Sequence, residues 1–313
     1  MMETMMTSAN AESVPASPVA RFVPVVCLLV VGSFIGITAN LVKLAVGVGA
    51  GPVAFLAWSV LGAGLILLIS AVSSGNRPAL NRRTVEYFLM SGLLSVALSN
   101  ALVFAAVPHV GAGFVALSFA FPPLYTYAMA LAGGMERVRL VRAVGVLSGI
   151  AGAVVLAWSK ASEPEADLLW IGVALSAPII IAAGNIYRTL RWPAGASSMS
   201  LAPGMLLAAA MLLFIGAPVI GIDVAIPVHD GYSAVLLAAQ TLTFAAMYML
   251  YFVLQRLAGP VYLSQIGAVG AAAGAGIASL LLGETLPAGI GWAGALIALG
   301  VFLVSRSNAR SAR

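Results

Sequence analysis

Roughly twenty consecutive apolar residues are needed to cross a bilayer as a helix, and this chain offers ten such runs. They fall at about 22–46, 51–72, 85–107, 111–132, 138–158, 168–190, 200–221, 232–256, 261–282 and 286–304. The connectors are short; the longest, near 73–84, 159–167 and 222–231, hold about a dozen residues or fewer. No soluble catalytic module or ATPase fits in them. The runs are continuous rather than alternating, which excludes a β-barrel. Only 8% of residues are charged while 62% are hydrophobic, against about a quarter charged in soluble domains. That is too little polar surface to cover a globule in water. The expected class is an all-α integral membrane protein with ten transmembrane helices.

The charges then orient the spans. Of the fifteen Lys and Arg, thirteen fall on the side that both ends of the ten-span chain share, and only Lys43 and Lys160 fall on the other. That side reads as cytoplasmic by the positive-inside rule, in the inner membrane of a bacterium. The net charge of +5 therefore reflects orientation and does not imply a nucleic-acid partner. Residues 1–20 are polar, carry Glu3 and Glu12, lack a signal-peptide pattern and read as a disordered cytoplasmic tail. Residues 306–313 read as a basic tail. A single cysteine, Cys27, makes no intramolecular disulfide, and no His/Cys/acid set has metal-ligand spacing. Neither a metal nor another cofactor is expected.

The polar residues recur. "ITANLVKL" places Asn40 and Lys43 three apart inside the first span, and "AAGNIYRTL" repeats the pattern with Asn185 and Arg188, 145 residues on. "FLAWSVLGAGLILLI" from Phe55 aligns with "LAPGMLLAAAMLLFI" from Leu201, and "AGFVALS" from Ala112 with "GPVYLS" from Gly259. "GGMERV" from Gly133 aligns with "LLGETLP" from Leu281, setting Glu136 opposite Glu284. The offset stays at about 145–148 across four spans. Two five-span halves follow, 21–158 and 168–305, joined by an external linker at 159–167. Because five is odd, the halves enter the bilayer in opposite senses, an inverted repeat whose shared site lies near the midplane.

These features together resemble the EamA-type transporters of the drug/metabolite transporter superfamily: ten spans, two halves, and "GGMERV" and "LLGETLP" each followed by a Gly/Ala-rich helix. The resemblance implies a basket of inverted helices that moves small metabolites, often outward, without ATP and without an ATPase subunit. It points to spans 1, 3, 4, 6, 8 and 9 as the cavity lining. In span 2, where many relatives carry an Arg, this chain has "AWSV" with Trp58 and Ser59.

Each polar side chain in the spans has two readings. Lys43 is either a lysine snorkelling to the outer interface or a cavity cation for a carboxylate or phosphate. Arg188, next to Arg191, fits an ordinary cytoplasmic anchor, with a gate at the opposite mouth from Lys43 as the alternative. Asn40 and Asn185 suit interhelical hydrogen bonds as well as ligand contact. Trp58, Asn100, Ser118, Tyr125, Gln240, Tyr248, Ser264 and Gln265 complete the candidate cavity set, each with packing as the competing role. Pro122 and Pro123 either kink span 4 for packing or free carbonyls toward a cavity. The glycines of "GAVGAAAGAGIAS" read as close helix packing.

The expected function is a secondary transporter, an exporter by resemblance, that moves small polar metabolites such as amino acids or organic anions by alternating access. A lipid flippase is the alternative. An integral-membrane transferase fits less well, because it needs convergent acid/base groups. Here His109 reads as cytoplasmic, His229 as external beside Asp230, and the acids are scattered.

Overall fold

The computed structural model describes residues 18–134, 139–162, 167–263, 265–283 and 290–309, and every regular element among them is a helix. In chain order these are α1 (Pro18–Gly47), α2 (Pro52–Ser73), α3 (Arg82–Gly92), α4 (Leu98–Val110), α5 (Ala112–Ser118) and α6 (Pro122–Ala132). The second half follows with α7 (Leu140–Ala161), α8 (Leu168–Leu190), α9 (Ser198–Val219), α10 (Gly231–Leu263), α11 (Ile266–Leu280) and α12 (Ile290–Ala309). One π-helical turn, Leu93–Ala97, joins α3 to α4. Among the described residues eight helices are long and apolar enough to cross a membrane, and two shorter apolar helices lie at Ile266–Leu280 and Gly291–Gly300.

Local chemistry accounts for the helix ends. Pro52 starts α2 at a position where its missing N–H is not needed. Asn81 and Thr84 form a reciprocal capping box at α3. Asp167 accepts from the N–H groups of Leu169 and Trp170 at the start of α8. Asp230 accepts from the N–H of Ser233 at 2.7 Å ahead of α10, and the Ser233 backbone and hydroxyl bonds hold its carboxyl below the usual range. Gly111, at φ 87°, makes the turn from α4 into α5.

Two boundaries differ from the hydropathy reading. The tandem Pro122–Pro123 divides span 4 rather than merely bending it. Phe119, Ala120 and Phe121 donate to carbonyls three residues back, closing α5 in a tight turn before α6 begins. Span 8 continues as helix to Leu263, beyond the connector placed at 257–260. Glu136 and Glu284 lie outside the described residues. His109 needs a correction of its own. It ends the 29-residue helical segment that starts at Arg82, and it stacks on Trp170 at 4.1 Å, just past the linker at 159–167. A span carries its two ends to opposite faces, so His109 shares the linker's side and not that of Arg82 and Arg83.

Between apolar helices in lipid, small residues supply the contact by letting backbones approach. "GSFIG" (Gly32 to Gly36) of α1 meets "GAAAG" (Gly270 to Gly274) of α11. A Cβ on Gly36 would lie 2.5 Å from the Gly274 nitrogen, and one on Gly270 would lie 3.1 Å from the Gly32 oxygen. α7 and α12 pack the same way, a Cβ on Gly300 falling 2.6 Å from the Gly145 oxygen. α2 packs on α9, α1 on α10 and α11, and α8 on α4 and α6.

Gly36→Ala is therefore expected to cost about 1–3 kcal/mol, the usual range for overpacking. Gly276→Ala, on the same glycine-rich helix but with nothing within 4 Å, should be silent. Melting of the purified protein in detergent, followed by size-exclusion fluorescence, separates the two.

Candidate functional site

α8 carries a polar step near its C-terminal end. Asn185 and Arg188, three residues apart, lie on one helical face, and both are buried, Arg188 with 0% exposure. Its guanidinium is held on all sides. Nε donates to Gln255 Oε1 at 3.2 Å, one terminal nitrogen donates to the Ser95 hydroxyl, and the other donates to Asn185 Oδ1 at 2.7 Å and to the Tyr251 hydroxyl. The Tyr251 hydroxyl in turn donates to Asn185 Oδ1 at 2.7 Å. The guanidinium carbon also sits over the Tyr251 ring, 4.8 Å from its centre, a cation–π contact. These partners come from three places: the π turn, α8 itself and α10.

The backbone makes room for this cluster. A π turn shifts the side chains after it relative to the helix before it, and such turns concentrate at functional positions. Ser95, in the middle of the turn, reaches Arg188. Gly184 lies directly beneath, and any Cβ there would collide with the Ser95 oxygen. "GNIYR" thus supplies a gap, an acceptor and a cation in five residues.

Beside the cluster lies a cavity with about 70 Å³ of free volume, room for a few waters. α1 contributes Ile35 and Thr38, the π turn and α4 contribute Ser95 and Asn100, and the α5–α6 break contributes Phe119 and Pro122. α8 adds Ile181 and Asn185, α10 adds Phe244, Met247, Tyr248 and Tyr251, and α11 adds Ile266 and Gly267. These are the six spans that the family resemblance implied. Gly267 is obligatory here, because a Cβ on it would strike the Phe119 carbonyl at the span 4 break. Two broken regions thus meet at the cavity wall, and irregular backbone at membrane depth belongs where it faces protein or a cavity.

Of the candidate residues, Asn100, Asn185 and Tyr248 line the cavity, and Asn100 donates to the Tyr248 hydroxyl at 3.1 Å. Gln240 stands behind it, donating to Thr38 at 3.2 Å with its own Oε1 unpartnered. Asn40 tethers α1 to α11 instead, donating to the carbonyls of Gly36 and Gly274 at 2.9 and 3.1 Å. Ser118 bonds the Val115 carbonyl within its own helix. Trp58 donates to the Val224 carbonyl at 3.0 Å and stands edge-on to Phe214. Lys43, Tyr125 and Gln265 are half-buried and outside this lining; Ser264 lies outside the described residues. Arg188 is a buried hub and not a surface anchor, which corrects the simpler reading of its neighbourhood with Arg191. Ser95, Thr38 and Gln255 carried no sequence signal, since a lone Ser, Thr or Gln in an apolar run is ordinary.

A second, open cavity of about 860 Å³ faces the other side of α8 and is lined by Arg77, Arg83, Glu86, Tyr187, Arg191 and Trp192 among others. Tyr187 and Trp192 of this lining belong to an aromatic cluster. Tyr87 stacks on Tyr187 at 6.2 Å and meets the edge of Trp192 at 6.5 Å, while Trp192 packs on Phe252 at 5.8 Å. Arg188 is one residue from Tyr187, which lines this second cavity, and is bonded to Tyr251, which lines the first.

Asn185→Ala is expected to cost about 1.5–3 kcal/mol, the worth of a bond to a charged donor. Asn40→Ala removes neutral interhelical bonds, worth about 0.6–2 kcal/mol. Thermal melts of the two variants in one detergent should rank them in that order.

Comparison with known proteins agrees with this architecture. A solved structure described only as a crystal structure of a protein superposes with a TM-score of 0.62 at 18% identity, covering 92% of this chain and 98% of its own. At that identity the likeness is one of fold. No curated protein matches the sequence. Residues 23–158, somewhat under half of this multi-pass membrane chain, are similar to the model of the EamA-like transporter family.

Proposed function

We propose that the chain is a secondary transporter that exports small polar metabolites, such as amino acids or organic anions, across the inner membrane by alternating access. Its two halves, 21–158 and 168–305, cross ten times as inverted repeats, with both ends of the chain in the cytoplasm. The observation that carries this reading is the cavity: lined by six spans from both halves, largely apolar in its walls, with Ser95, Asn100, Asn185, Tyr248 and Tyr251 among the lining.

The packing pairs support the repeat. A shift of five spans converts α1 against α10 into α8 against α4, and α1 against α11 into α8 against α6. It converts the α2–α9 and α7–α12 pairs into themselves. In this arrangement Lys43 and Arg188 stand toward opposite mouths of one pathway. A free volume near 70 Å³ is smaller than a metabolite, so entry requires the halves to part, as alternating access demands. The aromatic cluster of Tyr87, Tyr187 and Trp192 is the barrier on the side of the second cavity.

Saturable counterflow of a labelled metabolite in proteoliposomes is the expected behaviour. Asn100→Leu and Tyr248→Phe, which break the polar pair in the cavity wall, should each slow it about fivefold, the equivalent of one lost hydrogen bond. Flux that rises linearly without saturation, or scrambling of labelled lipid in place of solute flux, would remove the carrier reading.

A further inference from the structure

Arg188 is the one arginine among the fully buried side chains of the described residues, and the four residues its guanidinium bonds are all neutral. A buried charge is tolerated when hydrogen bonds surround it. The negative end of the α8 dipole and the Tyr251 ring help further. Its charge, however, is unmatched within that set. Three of the four partners, Ser95, Asn185 and Tyr251, also line the cavity. Arg188 therefore lies one side chain behind the wall, and an occupant that displaces a neutral hydroxyl reaches it.

The lining itself narrows what that occupant is. None of its fourteen residues is Asp, Glu, Lys or Arg. An ammonium group would meet no opposite charge there, and a second negative charge would meet no second cation. Ile35, Ile181, Phe244 and Ile266 offer apolar contact to the rest of the molecule. Guanidinium pairs with carboxylate through two parallel bonds, a stronger match than a neutral hydroxyl.

We infer that Arg188 is the anion-recognition group of the cavity, and that its ligand is a small organic monocarboxylate with an apolar body, whose carboxylate replaces the Tyr251 hydroxyl on the guanidinium. This rests on the carrier reading and narrows its substrate class, preferring organic acids to zwitterionic amino acids. Tyr251 and Asn185 then have opposed effects. The Tyr251 hydroxyl is a resident competitor. Asn185 holds the cation without neutralising it.

The test uses the full chain in detergent with three probes of one shape: 4-methylpentanoate, its amide, and 3-methylbutylamine. The carboxylate alone should raise the melting temperature. Tyr251→Phe should lower its half-saturating concentration about three- to tenfold, the value of one competing hydrogen bond. Asn185→Asp, which installs an internal carboxylate, should weaken it more than about tenfold in protein that still elutes as a folded peak. A purely structural network predicts weaker binding in both variants. Equal stabilisation by the amide, no response of the wild-type protein to the carboxylate, or weaker binding in Tyr251→Phe overturns the inference. Tyr251→Phe removes a single oxygen and decides the matter even if Asn185→Asp does not fold. The two readings fail separately. The expected binding pattern without saturable counterflow of labelled 4-methylpentanoate leaves the anion site and removes the carrier. Saturable counterflow of the amide at an equal rate leaves the carrier and removes the anion site.

Discussion

A guanidinium with no exposed surface inside an apolar bundle survives only if its N–H groups are taken up, and that requirement organises the centre of this molecule. Ser95 reaches it because the chain makes a π turn at Leu93–Ala97. The turn can press against α8 because position 184 is Gly. Asn185 is shared between Arg188 and Tyr251, which fixes the rotation of α10 relative to α8. Each of these features looks like a local irregularity in isolation. Around one buried cation they become a single constraint.

The second organising fact is that continuous α1, α8 and α10 share the cavity's border with interrupted helices. α5 stops at Ser118 and α6 restarts at Pro122, while α11 begins at Ile266 with Gly267 against the Phe119 carbonyl. Elsewhere the contacts are continuous small-residue seams, as between Gly36 and Gly274 or Gly149 and Gly300. Seams of bare backbone are stiff, because there is no side chain to repack. Breaks are where helix ends can change angle. Stiff pairs α1–α11 and α7–α12 flanking broken segments are a frame suited to motion about the cavity.

Much of this was legible in the residues. Apolar run length located nearly every helix, and the glycines of "GAVGAAAGAGIAS" read as close helix packing, while their partner "GSFIG" on α1 went unmarked. The pattern Asn-x-x-basic singled out both Asn185 with Arg188 and Asn40 with Lys43, and it favoured Lys43 over Arg188 for a cavity role. What separates the two pairs is tertiary. Asn40 turns its amide onto Gly274 across a helix seam, whereas Asn185 finds Tyr251 on α10. The partners that make that difference, Gly274 and Tyr251, lie far away in the sequence. Ser95 was invisible for a related reason: a π turn leaves no compositional mark, and its serine acquires meaning only from an arginine 93 positions away. The prolines did signal a disturbance in span 4, but local rules do not distinguish a kink from a break.

The contrast between the two asparagines bears on how the two mouths of such a cavity work. At position 40 the amide ties neutral backbone to neutral backbone, so separating α1 from α11 costs these hydrogen bonds and the packing of the seam. At position 185 the amide steadies a cation, and parting α8 from α10 strips a guanidinium of Tyr251 and Gln255. Exposing that guanidinium to water or to an anion repays much of the loss, because a charged group is better solvated than a neutral one. In the proposed carrier, opening would therefore be opposed by packing at the α1–α11 seam and assisted by hydration at Arg188. The same sequence pattern thus serves two local chemistries: Asn40 joins backbone carbonyls across a helix seam, and Asn185 steadies a buried cation.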